Sequence, residues 1–125
     1  MRRPIPDAIR RFVLTSIVSV PFLEALLLMR AHADSSWDAG ELARRLYVPA
    51  GLGEELLAQL GDSGFAAPCA AGWCWNKETD RAELVDQLAD IYAENVVGVT
   101  ELIHSRQERR AHQFADAFRL RKSQE

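Results

Sequence analysis

Apolar residues along this chain recur mostly at helical spacing, so the pattern predicts a mainly α protein. Residues 6–18, "PDAIRRFVLTSIV", and 20–33, "VPFLEALLLMRAHA", are expected to form two helices. Pro6 and Pro21 fall near their first turns, where a missing N–H costs nothing. In the second helix Phe22, Leu23, Leu26, Leu27 and Met29 leave little polar face, which predicts a central place in the core. "DSSW" then breaks the pattern. Asp38, with Glu41 three residues on, forms a capping box that opens the helix "AGELARRLY", with Leu42, Ala43 and Leu46 on its inner face. A short turn, "VPAG", leads to "LGEELLAQLGDSG", where Leu52, Leu56, Leu57 and Leu60 keep helical spacing and Gly61 and Gly64 can supply a left-handed C-terminal cap.

The period then changes. "FAAPCAAGWCWN" is a candidate hairpin with Ala71-Gly72 as its two-residue turn. From Glu78 to about Ser105 one long helix is expected, because Leu84, Val85, Leu88, Ile91, Tyr92, Val96, Val99, Leu102 and Ile103 hold a stripe over many turns without a proline. A last amphipathic helix, "QERRAHQFADAFRLRK", ends the chain.

The 125 residues, 48% hydrophobic and 26% charged, fit one ordinary globular domain with an appended helix. A net charge of -3 and a pI near 5.6 argue against a surface that attracts nucleic acid or anionic lipid all over. The distribution says more: cations are in excess in residues 1–30 and 101–125, and carboxylates in excess between them. Basic ends can bind polyanions, but the expectation is that they neutralise the acidic middle within the fold or across a dimer. Cys69 and Cys74 are too few for the disulfide framework of a small secreted domain, so a reducing, cytoplasmic setting is expected. The N-terminus has the outline of a signal peptide, with arginines, an apolar run and Ala31-His32-Ala33. Pro21 and Glu24 interrupt that run and Asp7 sits in the would-be positive region, so the segment is read as buried helices, with no membrane partner.

Helix, capped helix, short turn, helix and hairpin is also the order of a known domain. The span "WDAGELARRLYVPAGLGEELLAQLGDSGFAA", with "WCW" after it, resembles the winged helix-turn-helix family over roughly residues 20–76. The long helix beyond is similar to the dimerisation helices of small bacterial regulators of the MarR and TrmB-like groups. The resemblance implies a winged helix-turn-helix domain with an N-terminal helix over residues 1–76 and a C-terminal helical dimerisation region over 77–125. It implies duplex DNA as a partner and Trp37 as a core plug. The dimer surface would take Leu88, Ile91, Tyr92, Val96, Val99, Leu102, Ile103, Phe114 and Phe118, since the long helix carries more apolar surface than one small domain covers.

The residues of the would-be reading helix do not suit base readout. Such a helix needs donors near its N-terminus, yet Ala50, Gly51 and Gly53 stand there, followed by Glu54, Glu55 and Gln59. Carboxylates beside phosphates cost binding energy and release no counterions. Pro49 stands where a capping side chain would be, so the start of the helix lacks about 1 kcal/mol of capping. Arg44 and Arg45 could contact phosphates or simply face solvent, and the wing adds Lys77 with the rings of Trp73 and Trp75.

Two functional readings follow. In one, the protein is a dimeric transcription regulator that binds DNA through basic groups outside the helix. In the other, the acidic face around Glu54, Glu55 and Asp62 docks a basic protein partner. In the hairpin, a turn at Ala71-Gly72 puts Cys69 opposite Cys74 within disulfide range, so a redox pair is geometrically possible, although reduced packing cysteines are the expectation for a cytosolic chain. In the last helix, Ala111, Phe114, Ala117 and Phe118 share one side, and Arg106, Arg109, Arg110, Arg119 and Arg121 lie largely around the other. Packing of those phenylalanines on a dimer partner is preferred to a membrane surface, because two rings are a small apolar payload. No catalytic signature stands in the sequence, His32, His104 and His112 show no ligand spacing, and neither enzymatic activity, metal nor cofactor is expected.

Overall fold

A computed structural model describes residues 2–123, with side chains described through Ala117. The fold is mainly helical with one small sheet, in the order α1 (Asp7–Ser16), α2 (Val20–Ala31), β1 (Ser36–Trp37), α3 (Ala39–Leu46), α4 (Ala50–Asp62), β2 (Ala66–Cys69), β3 (Gly72–Trp75), α5 (Ala82–Glu94) and α6 (Val96–Ser123). Pro6 is the N-cap of α1, where its fixed φ of -60° presets the entry of the chain. Ile9, Phe12 and Val13 supply the buried side of that helix. Ser19 caps α2, its hydroxyl oxygen accepting from the Phe22 N–H at 3.1 Å, and Pro21 sits in the first turn. Phe22, Leu23, Ala25, Leu26 and Met29 of α2 are buried, as its nearly unbroken apolar surface predicts. No single helix among the described residues is long and apolar enough to cross a membrane; α1 and α2 together have the composition but bend by 110°.

The strands form an antiparallel sheet in the order β1-β3-β2. β1 was hidden in "DSSW", which the pattern reads only as a break; two residues are too short to show a period. The hairpin register also differs from expectation. Cys69 pairs with Gly72, Pro68 with Trp73 and Ala67 with Cys74, so the turn is Ala70-Ala71 and Gly72 belongs to the strand. The reason lies across the sheet: a Cβ at Gly72 would meet the Trp37 carbonyl oxygen of β1 at 2.5 Å. Glycine is spent on that close approach rather than on the turn.

The expected helix over 78–105 is instead two helices meeting at Asn95, and the expected boundary near Ser105 does not exist, because α6 runs straight through it. Asn95 is buried. Its side-chain oxygen accepts from the Gly98 N–H at 2.9 Å, capping α6, and its amide donates to the Arg3 carbonyl at 2.9 Å. The break folds α6 back against α1 and α5. As a result Leu88, Ile91, Val99 and Ile103 are buried within a single chain, in the same core as Phe12, Phe22 and Leu60. These four therefore do not supply the expected dimer surface, and α5 with the first half of α6 shares a core with the first 76 residues. Tyr92 and Leu102 pack against that core, while Val96 is 49% and Phe114 75% exposed. The side chain of Phe118 lies outside the described residues. From Gln107 to Ala117 every residue of α6 is exposed.

Candidate functional site

α3 begins at Asp38, whose carboxylate accepts from the Glu41 N–H at 2.8 Å, the Asp38 half of the expected capping box. It ends at Tyr47, which takes the left-handed conformation (φ 58°) and stands 96% exposed. A left-handed C-terminal position usually goes to glycine or asparagine, and a tyrosine held there is an unusual choice. Its signal in the sequence is the aromatic at the end of "ELARRLY". Pro49 then starts α4 without a side-chain cap.

α4 crosses α3 in direct contact at Gly53. A Cβ there would fall inside contact distance of the Ala39 carbonyl oxygen and 3.1 Å from the Ala43 Cβ. At the other end Gly64, with φ 81°, turns the chain out of the helix into β2, and the Phe65 N–H closes on the Leu60 carbonyl at 3.0 Å. Between these points Leu56, Leu57 and Leu60 face inward, and Glu54, Glu55, Ala58 and Asp62 face solvent. Gln59 is half-buried. The outward side of α4 is thus small residues and carboxylates with no cation.

The hairpin is pinned to this helix by its tryptophans. Trp73 lies over Gly61, whose missing side chain makes room: a Cβ would meet the indole at 2.7 Å. Trp75 stacks on Phe65 at 6.5 Å between centroids, with the ring planes 7° apart. The Arg81 guanidinium also sits over Phe65, 4.1 Å from the ring centroid, and donates to the Ser63 carbonyl. Cys69 and Cys74 are joined by a disulfide, with Cα atoms 5.9 Å apart, contrary to the expectation of two reduced thiols. The shifted register makes them diagonal neighbours rather than a directly opposed pair, and diagonal Cα atoms here still lie within bridging reach.

A cleft of about 350 Å³ opens between these parts. Trp37, Ala39, Leu57, Ala58 and Trp73 give it apolar walls, and Glu54 and Asp38 give it two carboxylates. Asp38 is committed to its cap, so Glu54 is the acid left to a ligand.

The other predicted contacts are dispersed. Arg44 is exposed and makes no ion pair among the described residues. Arg45 is held against the protein, its guanidinium 5.6 Å from the centre of the Trp37 ring and 3.5 Å from His32 Nε2. Lys77 pairs with Asp34, and that ammonium holds the Asp34 carboxyl below the usual carboxylate range by hydrogen bond and charge. Trp37 is buried as the core plug. Among the described residues no group of three or more His, Cys, Asp or Glu side chains stands close enough to hold a metal ion.

The fold and this site define a class: a mainly helical protein with a three-stranded antiparallel sheet, in which the acidic helix α4 lies beside an apolar cleft. Comparison with family models, with curated proteins and with solved structures finds no match to the chain.

Proposed function

We propose that the protein is a non-enzymatic interaction module built on a winged helix, whose acidic α4 face docks a basic segment of a partner protein. The observation that carries this reading is the pairing of two features on one surface. α4 presents Glu54, Glu55 and Asp62 with no cation among them, and directly beside them lies the apolar cleft of about 350 Å³. A segment carrying arginine or lysine next to one aliphatic or aromatic anchor satisfies both, the anchor entering between Leu57 and Trp73 and the cation meeting Glu54. The same carboxylates oppose a DNA backbone.

The test places a photo-crosslinking residue at Ala58 and follows what it traps in cells. A basic protein is expected, and Glu54→Lys with Glu55→Lys is expected to weaken its binding by about tenfold or more. Unchanged affinity in the double variant would refute the docking role of α4.

A second reading, a transcription regulator, rests on Arg44, exposed at the end of α3, without a carboxylate partner among the described residues and near the projecting Tyr47. It predicts binding to promoter duplex that weakens steeply with salt and is lost in Arg44→Glu with Arg45→Glu. Both readings place the protein in the cytoplasm, where a disulfide at the wing is reversible.

Self-association is part of the proposal in either case. Three turns of α6 stand exposed all round, and a helix of that length is marginal in water without something to pack on. We take a second copy as the partner, with Phe114 as its anchor. Phe114→Glu is expected to convert a dimer to a monomer in sedimentation, while secondary structure in residues 7–106 is retained.

A further inference from the structure

The basic ends of the chain were expected to neutralise its acidic middle. They do so only in part: Arg3 pairs with Glu94 at 3.4 Å and Arg30 with Asp86 at 2.6 Å. Five other arginines of the ends collect with one another. α1 and α6 pack side by side, which brings Arg10 and Arg11 of the first to the same surface as Arg106, Arg109 and Arg110 of the second. Spacings of three and four along α6 set its three guanidinium groups on one helical face.

Arg106 is the unusual member, with only 7% of its surface exposed. Its Nε donates to the Leu14 carbonyl at 2.8 Å, in the last turn of α1, where a cation also suits the helix dipole. That accounts for one of its five N–H donors. Among the described residues its terminal nitrogens have no hydrogen-bond partner, and none of the five arginines makes an ion pair. Burial and the neighbouring Arg110 both push the Arg106 guanidinium below its ordinary pKa, the signature of a buried charge whose neighbour is another cation.

A cleft of about 290 Å³ opens at this point, lined by Leu14, Thr15, Arg106, Arg109 and Arg110. A second hollow of about 370 Å³ shares Leu14 and Thr15 with it and reaches Arg10, Arg11 and Asp7. The Thr15 hydroxyl donates to the Arg11 carbonyl at 2.8 Å, so the guanidinium groups are the donors left for a ligand. Asp7 is the one carboxylate lining either hollow.

We propose that the groove between α1 and α6 binds a small molecule through a phosphoryl group held by Arg106, Arg109 and Arg110. Planar guanidinium forks match phosphate oxygens pairwise, and a doubly charged group offsets several clustered cations better than a carboxylate can. Leu14 gives the body of the ligand an apolar wall, and the groove of about 290 Å³ accommodates a group of metabolite size. The site lies on α1 and α6, apart from the α4 face, and stands or falls independently of the partner-docking role proposed for that face.

The experiment is calorimetric titration of the full chain with inorganic phosphate, pyrophosphate and acetate at near-physiological salt, with a duplex DNA in a parallel arm. Saturable binding of pyrophosphate is expected, weaker for phosphate and absent for acetate. Arg109→Ala with Arg110→Ala, both exposed, should weaken pyrophosphate at least tenfold and leave the melting temperature of the free protein unchanged. Arg2→Ala with Arg44→Ala removes the same charge elsewhere and should leave the affinity unchanged. Equal loss in both double variants would reduce the effect to net charge and overturn the site. Absence of saturable pyrophosphate binding would overturn it also, including the case in which only duplex DNA binds and loses affinity with Arg109 and Arg110.

Discussion

Gly53→Ala is expected to destabilise the protein by about 3 kcal/mol, while Gly51→Ala, two residues earlier in the same helix, should stabilise it by about 0.5–1 kcal/mol. The opposite signs come from what each new methyl group meets. Nothing stands within 4 Å of a Cβ at Gly51, so the substitution there removes only the helix penalty of glycine. At Gly53 the same methyl collides with the Ala39 carbonyl oxygen and with Ala43, both parts of α3. Backbone cannot swing aside as a long side chain does, so α4 must retreat from α3 along its length. Leu56, Leu57 and Leu60 move with it, which spreads the cost into the core. Urea denaturation with a shared slope measures both variants; for a domain of this size the pair should melt more than ten degrees apart, by roughly 3–4 °C per kcal/mol. Equal stabilities would mean that α3 and α4 do not cross in contact at Gly53.

The parts of the fold that were legible in the sequence are those specified by neighbours a few residues away. The Asp38 cap needs only Glu41, and the buried faces of α2 and α4 need only their own leucines. What was missed depends on residues far along the chain. Asn95 breaks the long helix because its amide reaches the Arg3 carbonyl, ninety-two positions away, while its oxygen caps Gly98. Local pattern favours a continuous helix there, since Ile91, Val99 and Ile103 keep the stripe on both sides. The hairpin register was missed for the same reason: Gly72 is demanded by β1, and β1 itself is two residues long.

The acidity of α4 was legible directly; the cleft beside it was not, because it exists only when Trp73 seats on Gly61. Arg106 did carry a signal. It continues the Val99 and Ile103 stripe at intervals of four and three, a position where an arginine must either break the apolar face or be buried in it.

Reduction of the Cys69–Cys74 bond is expected to cost about 2 kcal/mol, the loop entropy of a short closed ring, and Cys69→Ser with Cys74→Ser should lose a similar amount. The functional consequence follows from what the hairpin holds. Trp73 stands next to Cys74 in β3, lies over Gly61 of α4 and forms one wall of the cleft beside Glu54. Loosening the hairpin tip lets that indole leave α4, which opens the cleft and removes the apolar half of the proposed docking surface while its carboxylates remain. Tryptophan emission should therefore move to longer wavelength on adding a phosphine reductant, and affinity for the basic partner should fall several-fold. In the serine variant the reductant should change neither reading. Denaturation of the wild type with and without reductant gives the stability term, and fluorescence below the unfolding transition gives the local one. If reduction lowers stability but leaves the emission and the partner affinity untouched, the disulfide is a staple of the hairpin, which then does not control the cleft.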